Sequence, residues 1–293
     1  MIKINSSYKY PIFLFALIAL ISFCEISNSA PATTIARDNA ACAATITTSD
    51  TECEAQPTSQ NIIFHKVAFC TALPTEPTST TATGMTNCTT VFENTAGATV
   101  SIQKGTGTTP NGTFTDPPYG NYTFAYVELS PVFTYKANLV FSATPIAKSS
   151  DGSGGGINCH TNGTAYFHRQ TSLSGITCQG TVGVAANTNV TLNSLNPDAG
   201  LYAARFTGTN GNTDVYLIKS NGTLATTSGD GSIGDVAKVI AFIPMTANIT
   251  PDTTSYNLLY NNTRGMTVWQ DASAGNFNIG FSIAYFDMTF QIQ

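Results

Sequence analysis

The sequence predicts an all-β fold, a disulfide-bearing β-sandwich with little helix. Apolar and polar residues alternate with a period of two in several segments, which is the pattern of half-buried strands. Thr favours strands because its branched Cβ fits a pleated surface, whereas the abundant Asn and Gly favour turns. No window has the 3.6-residue apolar stripe of an amphipathic helix. The chain is therefore expected to consist of strands joined by turns.

The clearest predicted strands lie in the middle of the chain. Between Tyr122 and Leu129 both alternating faces are apolar, which predicts a central strand covered on both sides. From Phe133 to Phe141 apolar residues occupy every second position, which predicts a half-buried strand. Strand signals between residues 90 and 103 are interrupted by a predicted turn near Gly97. Asn221-Gly222 is the strongest hairpin signal, because a type I′ turn requires positive φ.

The C-terminal segment changes its alternation. One phase of apolar residues runs from Phe277 to Tyr285, and the other phase runs from Phe286 to Ile292. A change of phase moves the apolar side chains to the opposite face, so it predicts a bulge or a switch between sheets at this point. The segment ends without a charged residue or a proline that would hinder pairing with another strand.

Residues 1–29 have the features of a signal peptide. Lys3 and Lys9 precede an uncharged apolar run from Pro11 to Phe23, which is too short to span a bilayer comfortably. Ser27 and Ser29 then supply small residues at positions −3 and −1, which predicts cleavage after Ser29. The mature protein is therefore expected to be exported and to lie outside the cell or on its surface, with the periplasm as the alternative.

The mature chain is expected to contain one large β domain. Residues 30–60 are Ala- and Thr-rich with little periodicity, which predicts an extended, poorly packed N-terminal arm. Residues 61–293 form the predicted β-sandwich domain, and the Gly/Ser-rich segment at 149–156 is the best candidate for a subdivision. No second apolar run of spanning length occurs, so no membrane span is expected in the mature chain.

The chain carries little charge of either sign. Charged residues make up 10% of it, against roughly a quarter in an ordinary soluble domain. After removal of the signal peptide, ten Lys and Arg remain against sixteen Asp and Glu, a net charge of −6. No Lys/Arg cluster exists, which argues against a nucleic-acid partner. A neutral polar surface suits packing against copies of the same chain, because few charges need to be desolvated.

Six of the seven cysteines remain in the mature chain: Cys42, Cys53, Cys70, Cys88, Cys159 and Cys178. An even number in an exported chain predicts disulfides, although six cysteines allow fifteen pairings. Sequence order favours Cys42–Cys53, Cys70–Cys88 and Cys159–Cys178. Each of these pairs closes a loop of about ten to twenty residues, and such bridges stabilise a fold by ~2–4 kcal/mol.

Two segments resemble the tyrosine corner of immunoglobulin-like sandwiches, in which a Tyr at the start of a strand hydrogen-bonds back to the preceding loop. In the first segment the structural residues are Asp198, Gly200 and Tyr202; in the second they are Gly120 and Tyr122. Ala204 stands where an antibody-type domain has a cysteine. The motif therefore implies an immunoglobulin-like, Greek-key or jelly-roll sandwich and has no catalytic meaning.

A strand leading into Cys70-Thr71, a second cysteine after a Thr-rich loop, and a Pro-x-Gly-x-Tyr-Thr turn from Pro118 to Thr123 occur together. In these features the chain resembles uncharacterised exported β-sandwich proteins of oceanic Gram-negative bacteria. The resemblance implies export and a β fold, and it carries over no activity and no functional residue.

Residues that could form a catalytic or metal site are few. Cys159-His160 with His168 and Cys178 could be drawn as a zinc site, but the spacing matches no zinc module and a disulfide explains the cysteines better. Asp151 in one loop, and Asp230 with Asp235 in another, could supply oxygen ligands to Ca²⁺, although neither loop has the ligand density of an EF-hand. No catalytic residue, cofactor or metal is therefore predicted. The eight Asn-x-Ser/Thr sequences of the mature chain are attributed to chance in an Asn- and Thr-rich bacterial sequence.

The sequence favours a non-enzymatic secreted or cell-surface structural protein, a self-assembling subunit of a fibre, sheath or surface layer. The alternative is a carbohydrate-binding or adhesin-type module with a surface glycan as partner, for which Trp269 and the tyrosines are candidate residues. A secreted hydrolase with scattered carboxylates is the third hypothesis, since a glycosidase pair has no sequence signature.

Overall fold

The computed structural model describes residues 2–5, 31, 33–35, 41–47, 52–102, 108–144, 146–147, 155–170, 175–196, 200–208, 211–271, 278–283 and 287–293. None of these residues is helical, so the predicted all-β fold is confirmed for this part of the chain. The predicted cleavage point after Ser29, the corner residue Asp198 and the candidate Ca²⁺ ligand Asp151 lie outside the described residues.

The described residues form strands in several sheets. In chain order the strands are β1 (Ile2–Asn5), β2 (Thr34–Ile35), β3 (Cys53–Ala55), β4 (Ser59–Cys70), β5 (Cys88–Ile102), β6 (Thr113–Phe114), β7 (Gly120–Leu129), β8 (Val132–Lys136), β9 (Asn138–Val140), β10 (Ile146–Ala147), β11 (Asn158–Thr161), β12 (Tyr166–Phe167), β13 (Ile176–Gln179), β14 (Thr188–Thr191), β15 (Ala203–Gly208), β16 (Gly211–Ile218), β17 (Lys238–Ile249), β18 (Ser255–Asn261), β19 (Met266–Asp271), β20 (Asn278–Ile283) and β21 (Asp287–Ile292).

The largest sheet has the strand order β12-β14-β8-β4-β7-β17-β16-β15-β2, with β5 and β6 continuing from β4. Strand β7 lies between β4 and β17, as the apolar character of both its faces predicts. Strand β8 precedes the Gly/Ser-rich segment at 149–156 and strand β14 follows it, yet the two strands are paired. The two sides of that segment therefore contribute to one sheet.

The C-terminal strands belong to smaller sheets. Strand β20 lies in the order β10-β20-β19-β3, whereas β21 lies in the order β1-β18-β21. The chain therefore leaves one sheet and enters another between Ile283 and Asp287, so the predicted switch between sheets is confirmed. The change of apolar phase marks it because the two strands bury side chains from different sets of alternating positions.

One hydrophobic core lies between the large sheet and the C-terminal strands. The Phe69 ring of β4 packs 5.3 Å from the Tyr256 ring of β18 and 5.4 Å from the Phe290 ring of β21, in both cases edge to face. The buried Tyr166 hydroxyl of β12 donates to the Phe281 carbonyl of β20. Apolar faces of separate sheets thus cover one another, which is the packing of a β-sandwich.

Three disulfides are present: Cys42–Cys53, Cys70–Cys88 and Cys159–Cys178. The predicted pairing is confirmed in each case. Two of the bridges connect directly paired positions of neighbouring antiparallel strands, Cys70 with Cys88 and Cys159 with Cys178. These bridges therefore join strand pairs that the backbone ladder already holds together.

The segment predicted as an extended arm contributes to the fold where it is described. Strand β2 pairs with β15, and β3 pairs with β19. Ile46 is only 4% exposed and belongs to the main core. The segment is extended as predicted, but the expectation that it is poorly packed is wrong where it is described, because Ile46 and Ala55 are buried in the main core.

Gly97 differs from its prediction as a turn. Strand β5 continues through it, and the register against β4 shifts between Phe64 and Lys66. Gly97 has φ +89°, and a Cβ there would lie 2.5 Å from Ile63 Cγ2. A bulge inside a continuous strand needs the same positive φ as a tight turn, so the glycine signal does not distinguish between them.

The predicted hairpin turn at Asn221-Gly222 is present. Gly222 has φ +83°, and the Lys219 amide donates to the Thr223 carbonyl at 2.8 Å.

The residues that the structure describes contain no helix that is long and apolar enough to cross a bilayer.

Candidate functional site

A second, smaller apolar cluster lies on the opposite face of the large sheet. It is built by β4, β7, β16 and β17 and contains the buried residues Ala68, Cys70, Tyr126, Tyr216, Ile218, Ile240 and Phe242. The Thr/Pro-rich loop of residues 71–87 supplies Leu73 and Met85 to this cluster. Because the Cys70–Cys88 disulfide closes both ends of that loop, the loop is held over the sheet.

Three aromatic rings form a row across the face that the loop covers. The Tyr126 and Phe242 ring centroids are 6.2 Å apart, and those of Phe242 and Tyr216 are 5.1 Å apart. Such a row on an exposed sheet would suit a sugar ring. All three residues are at most 4% exposed, however, so the row is part of a packed core.

Glu76 brings a carboxyl group to one end of the aromatic row. Burial raises its pKa, the nearby Asp214 carboxylate raises it further, and the Tyr216 hydroxyl and Arg205 oppose the rise. Glu76 Oε1 and the Tyr216 hydroxyl are both buried without a hydrogen bond of good geometry. The raised pKa of Glu76 is therefore the expected result of incomplete solvation next to another carboxylate.

Asp214 is paired with Arg205 on the neighbouring strand. Arg205 Nε donates to Asp214 Oδ1 at 2.6 Å, and its terminal nitrogen donates to Oδ2 at 2.7 Å. Two parallel hydrogen bonds of this kind fix the orientation of the carboxylate. Asp214 is therefore held in place by Arg205, and its carboxylate acts on the nearby Glu76 by raising its pKa.

Glu128 anchors the other end of the row. Tyr126 donates its hydroxyl to Glu128 Oε2 at 2.7 Å, and Lys238 binds Oε1. Burial alone would raise the pKa of Glu128, but the bonds from Lys238 and Tyr126 outweigh burial and lower it. Lys66, which also lowers this pKa, pairs with Glu93 at 2.9 Å. The charged side chains at this end of the row are therefore paired with one another within the fold.

The two corner-like segments differ in what their tyrosines bind. Tyr122 donates to the Pro118 carbonyl at 2.7 Å, four residues back, while Gly120 begins the strand with φ +155°. Tyr202 instead donates to Ser228 Oγ at 3.1 Å, in a loop that follows it in sequence. Residues 197–199 of the loop that precedes Tyr202 lie outside the described residues, so the expected bond back to that loop stays a prediction. Gly200 remains close to Tyr202, since a Cβ there would lie 3.1 Å from its hydroxyl.

The histidines are enclosed by the fold and are not gathered at a metal site. Cys159 and Cys178 form a disulfide, so neither can serve as a thiolate ligand. Burial lowers the pKa of His160, and it lowers the pKa of His168 to about 4. Among the residues described, no group of three or more His, Cys, Asp or Glu side chains could hold a metal ion.

The carboxylate of Asp235 is engaged in its own loop. It accepts hydrogen bonds from the Thr226 and Thr227 amides at 3.1 and 3.0 Å and from the Thr226 hydroxyl at 3.0 Å. Lys219 Nζ lies 3.1 Å from its Oδ2. Burial opposes the charged form, but these bonds outweigh it and lower the pKa of Asp235. Asp235 is therefore a loop-fixing residue, a role that sequence spacing did not indicate.

Trp269 packs against the paired strand. Gly280 stands directly opposite it, and a Cβ on Gly280 would lie 2.1 Å from the indole ring. The missing side chain of Gly280 thus makes room for the ring. Trp269 itself is half-buried and lies outside the core cluster, whereas Met266 and Val268 of the same strand are buried in it.

The small sheet β1-β18-β21 ends in the edge strand β21. Within the described residues β21 pairs with β18 alone, and β18 pairs with β1 along its other edge. The Phe290 side chain of β21 packs against Phe69, so the strand is anchored by one face while its outer edge lacks a strand partner among the described residues. A free edge presents backbone donors and acceptors that another strand can pair with.

Asn257 in the middle of β18 is unusual. Its residue surface is 0% exposed, yet neither Nδ2 nor Oδ1 has a hydrogen-bond partner. Buried amides are normally hydrogen-bonded, so Asn257 is an exception to this rule. No sequence signal distinguished Asn257, because Asn is abundant and its burial depends on tertiary packing.

Comparisons of the chain with protein-family models, curated proteins and solved structures found no significant match.

Proposed function

We propose that the mature chain is a non-enzymatic structural protein of the cell exterior that assembles with copies of itself. The observation that carries this proposal is the position of β21, an alternating apolar strand at the edge of its sheet. Edge strands of this kind are blocked in most proteins by charge, proline or cover, because they pair with other chains.

The backbone hydrogen bonds identify which groups of β21 face away from β18. Ser255 and Gln293 exchange both of their backbone hydrogen bonds, at 3.0 and 2.9 Å. In an antiparallel ladder successive residues point their backbone groups to opposite sides. The N–H groups of Met288, Phe290 and Ile292 are therefore directed away from β18 and towards the outer edge.

The charge of the chain supports the same function. Only 10% of residues are charged, and the described ion pairs, such as Arg205–Asp214 and Lys219–Asp235, are used within the fold. An interface between neutral polar surfaces has little charge to desolvate. Three disulfides would stabilise such a subunit outside the reducing cytoplasm.

The experiment is to measure the mass of the purified mature chain, residues 30–293, over a wide concentration range by light scattering, and to image it by negative-stain microscopy. Regular oligomers or fibres are expected. A chain that is monomeric at every concentration would refute self-assembly and favour the binding-module alternative.

A pair of variants tests the role of the β21 edge. Ile292→Pro removes one outward N–H without removing a donor to β18, and it should weaken assembly. Ile292→Val is the matched control, because it shortens the same side chain and keeps the N–H. Equal weakening by both variants would attribute the effect to lost packing instead of to the strand edge.

A further inference from the structure

We infer that the outer edge of β18 is an interface between two copies of the mature chain, with Asn257 of one copy opposite Asn257 of the other. The inference rests on the proposed function, because it requires an exported chain that associates with itself. It adds the location, the symmetry and the register of one contact.

The edge of β18 accepts an antiparallel strand in the full chain. Strand β1 pairs along it, with Ile2 opposite Leu258 and Ile4 opposite Tyr256. Residues 2–5 belong to the segment predicted to be removed as a signal peptide. In the mature chain the same edge has no strand partner among the described residues. Cleavage would therefore expose an edge that pairs with a strand, β1, in the full chain.

The hydrogen bonds between β18 and β21 show which backbone groups of β18 face its other edge. Because Ser255 bonds Gln293 of β21, the backbone groups of Ser255, Asn257 and Leu259 face β21. Those of Tyr256, Leu258 and Tyr260 face the outer edge. An incoming strand must therefore form its hydrogen bonds with Tyr256 and Leu258, the residues that stand opposite Ile4 and Ile2.

A second copy of β18 satisfies these requirements by two-fold symmetry. If Asn257 stands opposite Asn257, then Tyr256 of each copy stands opposite Leu258 of the other, and both hydrogen-bonded positions are filled. The pairing remains antiparallel, as with β1, and again places apolar residues opposite Leu258 and Tyr256. A two-fold contact of this kind uses the same surface on both subunits.

The Asn257 amide provides an independent reason for this register. Both of its polar atoms are buried and unpaired within one chain. At the two-fold axis the facing residues form a non-hydrogen-bonded pair, whose Cα atoms are about 4.5 Å apart and whose side chains are close. Each Asn257 Nδ2 can then donate to Oδ1 of the other copy, which satisfies both amides.

The test is cross-linking of the mature chain through a single introduced thiol. The six native cysteines form disulfides, so the Asn257→Cys variant has one free thiol per chain. The expected Cα separation across the axis suits a disulfide. Most of this variant should run as a reducible covalent dimer on a non-reducing gel. Leu259→Cys is the matched control and should remain uncrosslinked, because its position faces Ser255.

The double variant Ser255→Cys/Leu259→Cys should restore the covalent dimer. If the mature chain assembles but Asn257→Cys does not cross-link, or Leu259→Cys cross-links instead, this inference is wrong while self-assembly stands. If light scattering finds only monomer, the proposed function fails first and the interface fails with it.

A charge variant gives a second readout that does not depend on cysteine chemistry. Asn257→Asp should weaken dimerisation at pH 7 on the order of tenfold or more, because two carboxylates would face each other at short range. Lowering the pH below the carboxyl pKa should restore the dimer. Circular dichroism at both pH values establishes that the variant is folded, and folded protein with unchanged dimerisation at pH 7 would contradict the inference.

Discussion

At the residue scale, similar sequence motifs acquire different partners. Tyr122 and Tyr202 both follow a Gly-x pair, but Tyr122 binds the Pro118 carbonyl and Tyr202 binds Ser228. The sequence could identify both tyrosines as structural residues. It could not identify the partner of Tyr202, because Ser228 is brought close only by the path of a later loop.

These two bonds predict different stabilities for the matching Phe variants. Tyr122→Phe should lower the free energy of unfolding by about 1 kcal/mol, because the buried Tyr122 side chain loses its hydrogen bond to a backbone carbonyl. Tyr202→Phe should have a smaller effect, since its partner is a half-buried hydroxyl that water can reach. Urea denaturation of both variants measures the difference, and equal losses would show that the two bonds are equivalent.

The two glutamates beside the aromatic row predict opposite pH dependences. The pKa of Glu76 is raised in the fold, so the folded state binds its proton more tightly than the unfolded state does. The free energy of unfolding therefore falls as the pH rises above the ordinary pKa of a glutamate. Glu76→Gln should therefore be at least as stable as the parent chain at pH 7. Its advantage should disappear below pH ~4, where the parent glutamate is protonated in both states.

Glu128→Gln is the comparison variant. The pKa of Glu128 is lowered in the fold, so its contribution is present at neutral pH and is lost as the pH falls through the folded pKa. Glu128→Gln should lower the free energy of unfolding at pH 7 by about 1–2 kcal/mol, and the loss should shrink in acid. Thermal melts at pH 7 and in acid check both variants, and the same sign for both would contradict these assignments.

At the element scale, periodicity predicted strands well where one face is buried. Strand β7 is central as its two apolar faces indicate, and the phase change after Ile283 marks a real switch between sheets. The cover provided by residues 71–87 was not predictable, because irregular Thr- and Pro-rich sequence has no period. Its position depends on the disulfide and on contacts distant in sequence, such as the bond from the Leu224 amide to the Thr78 carbonyl at 2.8 Å.

The covering loop predicts a local role for the Cys70–Cys88 disulfide. Replacing both cysteines by Ala should lower the free energy of unfolding by ~3 kcal/mol, because the bridge closes a loop of moderate length. The aromatic row beneath the loop should also become more accessible. Limited proteolysis within residues 71–87 and Tyr fluorescence quenching measure this change. Replacing Cys159 and Cys178 instead should leave the protection of residues 71–87 unchanged.

At the scale of the whole molecule, the fold combines a large sheet that is covered on both faces with a small sheet whose edge strand β21 pairs only with β18 among the described residues. The large sheet is covered on one face by the C-terminal strands and on the other by a closed loop. The aromatic row that would suit a glycan is buried in this arrangement. The outer edge of β21, and the edge of β18 once β1 is removed as proposed, are therefore better placed for contact with another molecule than either face of the large sheet.

This arrangement predicts that assembly of the mature chain depends weakly on salt. The proposed contacts are backbone hydrogen bonds and neutral side chains, and β18 contains no charged residue. Raising the ionic strength from 0.1 to 1 M shortens the Debye length from about 10 to about 3 Å, which would dissociate an assembly held by ion pairs. The midpoint concentration of assembly, followed by light scattering at both salt levels, should change by less than about threefold, since few surface charges are screened. Disassembly at high salt would show that charged surfaces make the contact, and the edge of β18 would then not be the interface.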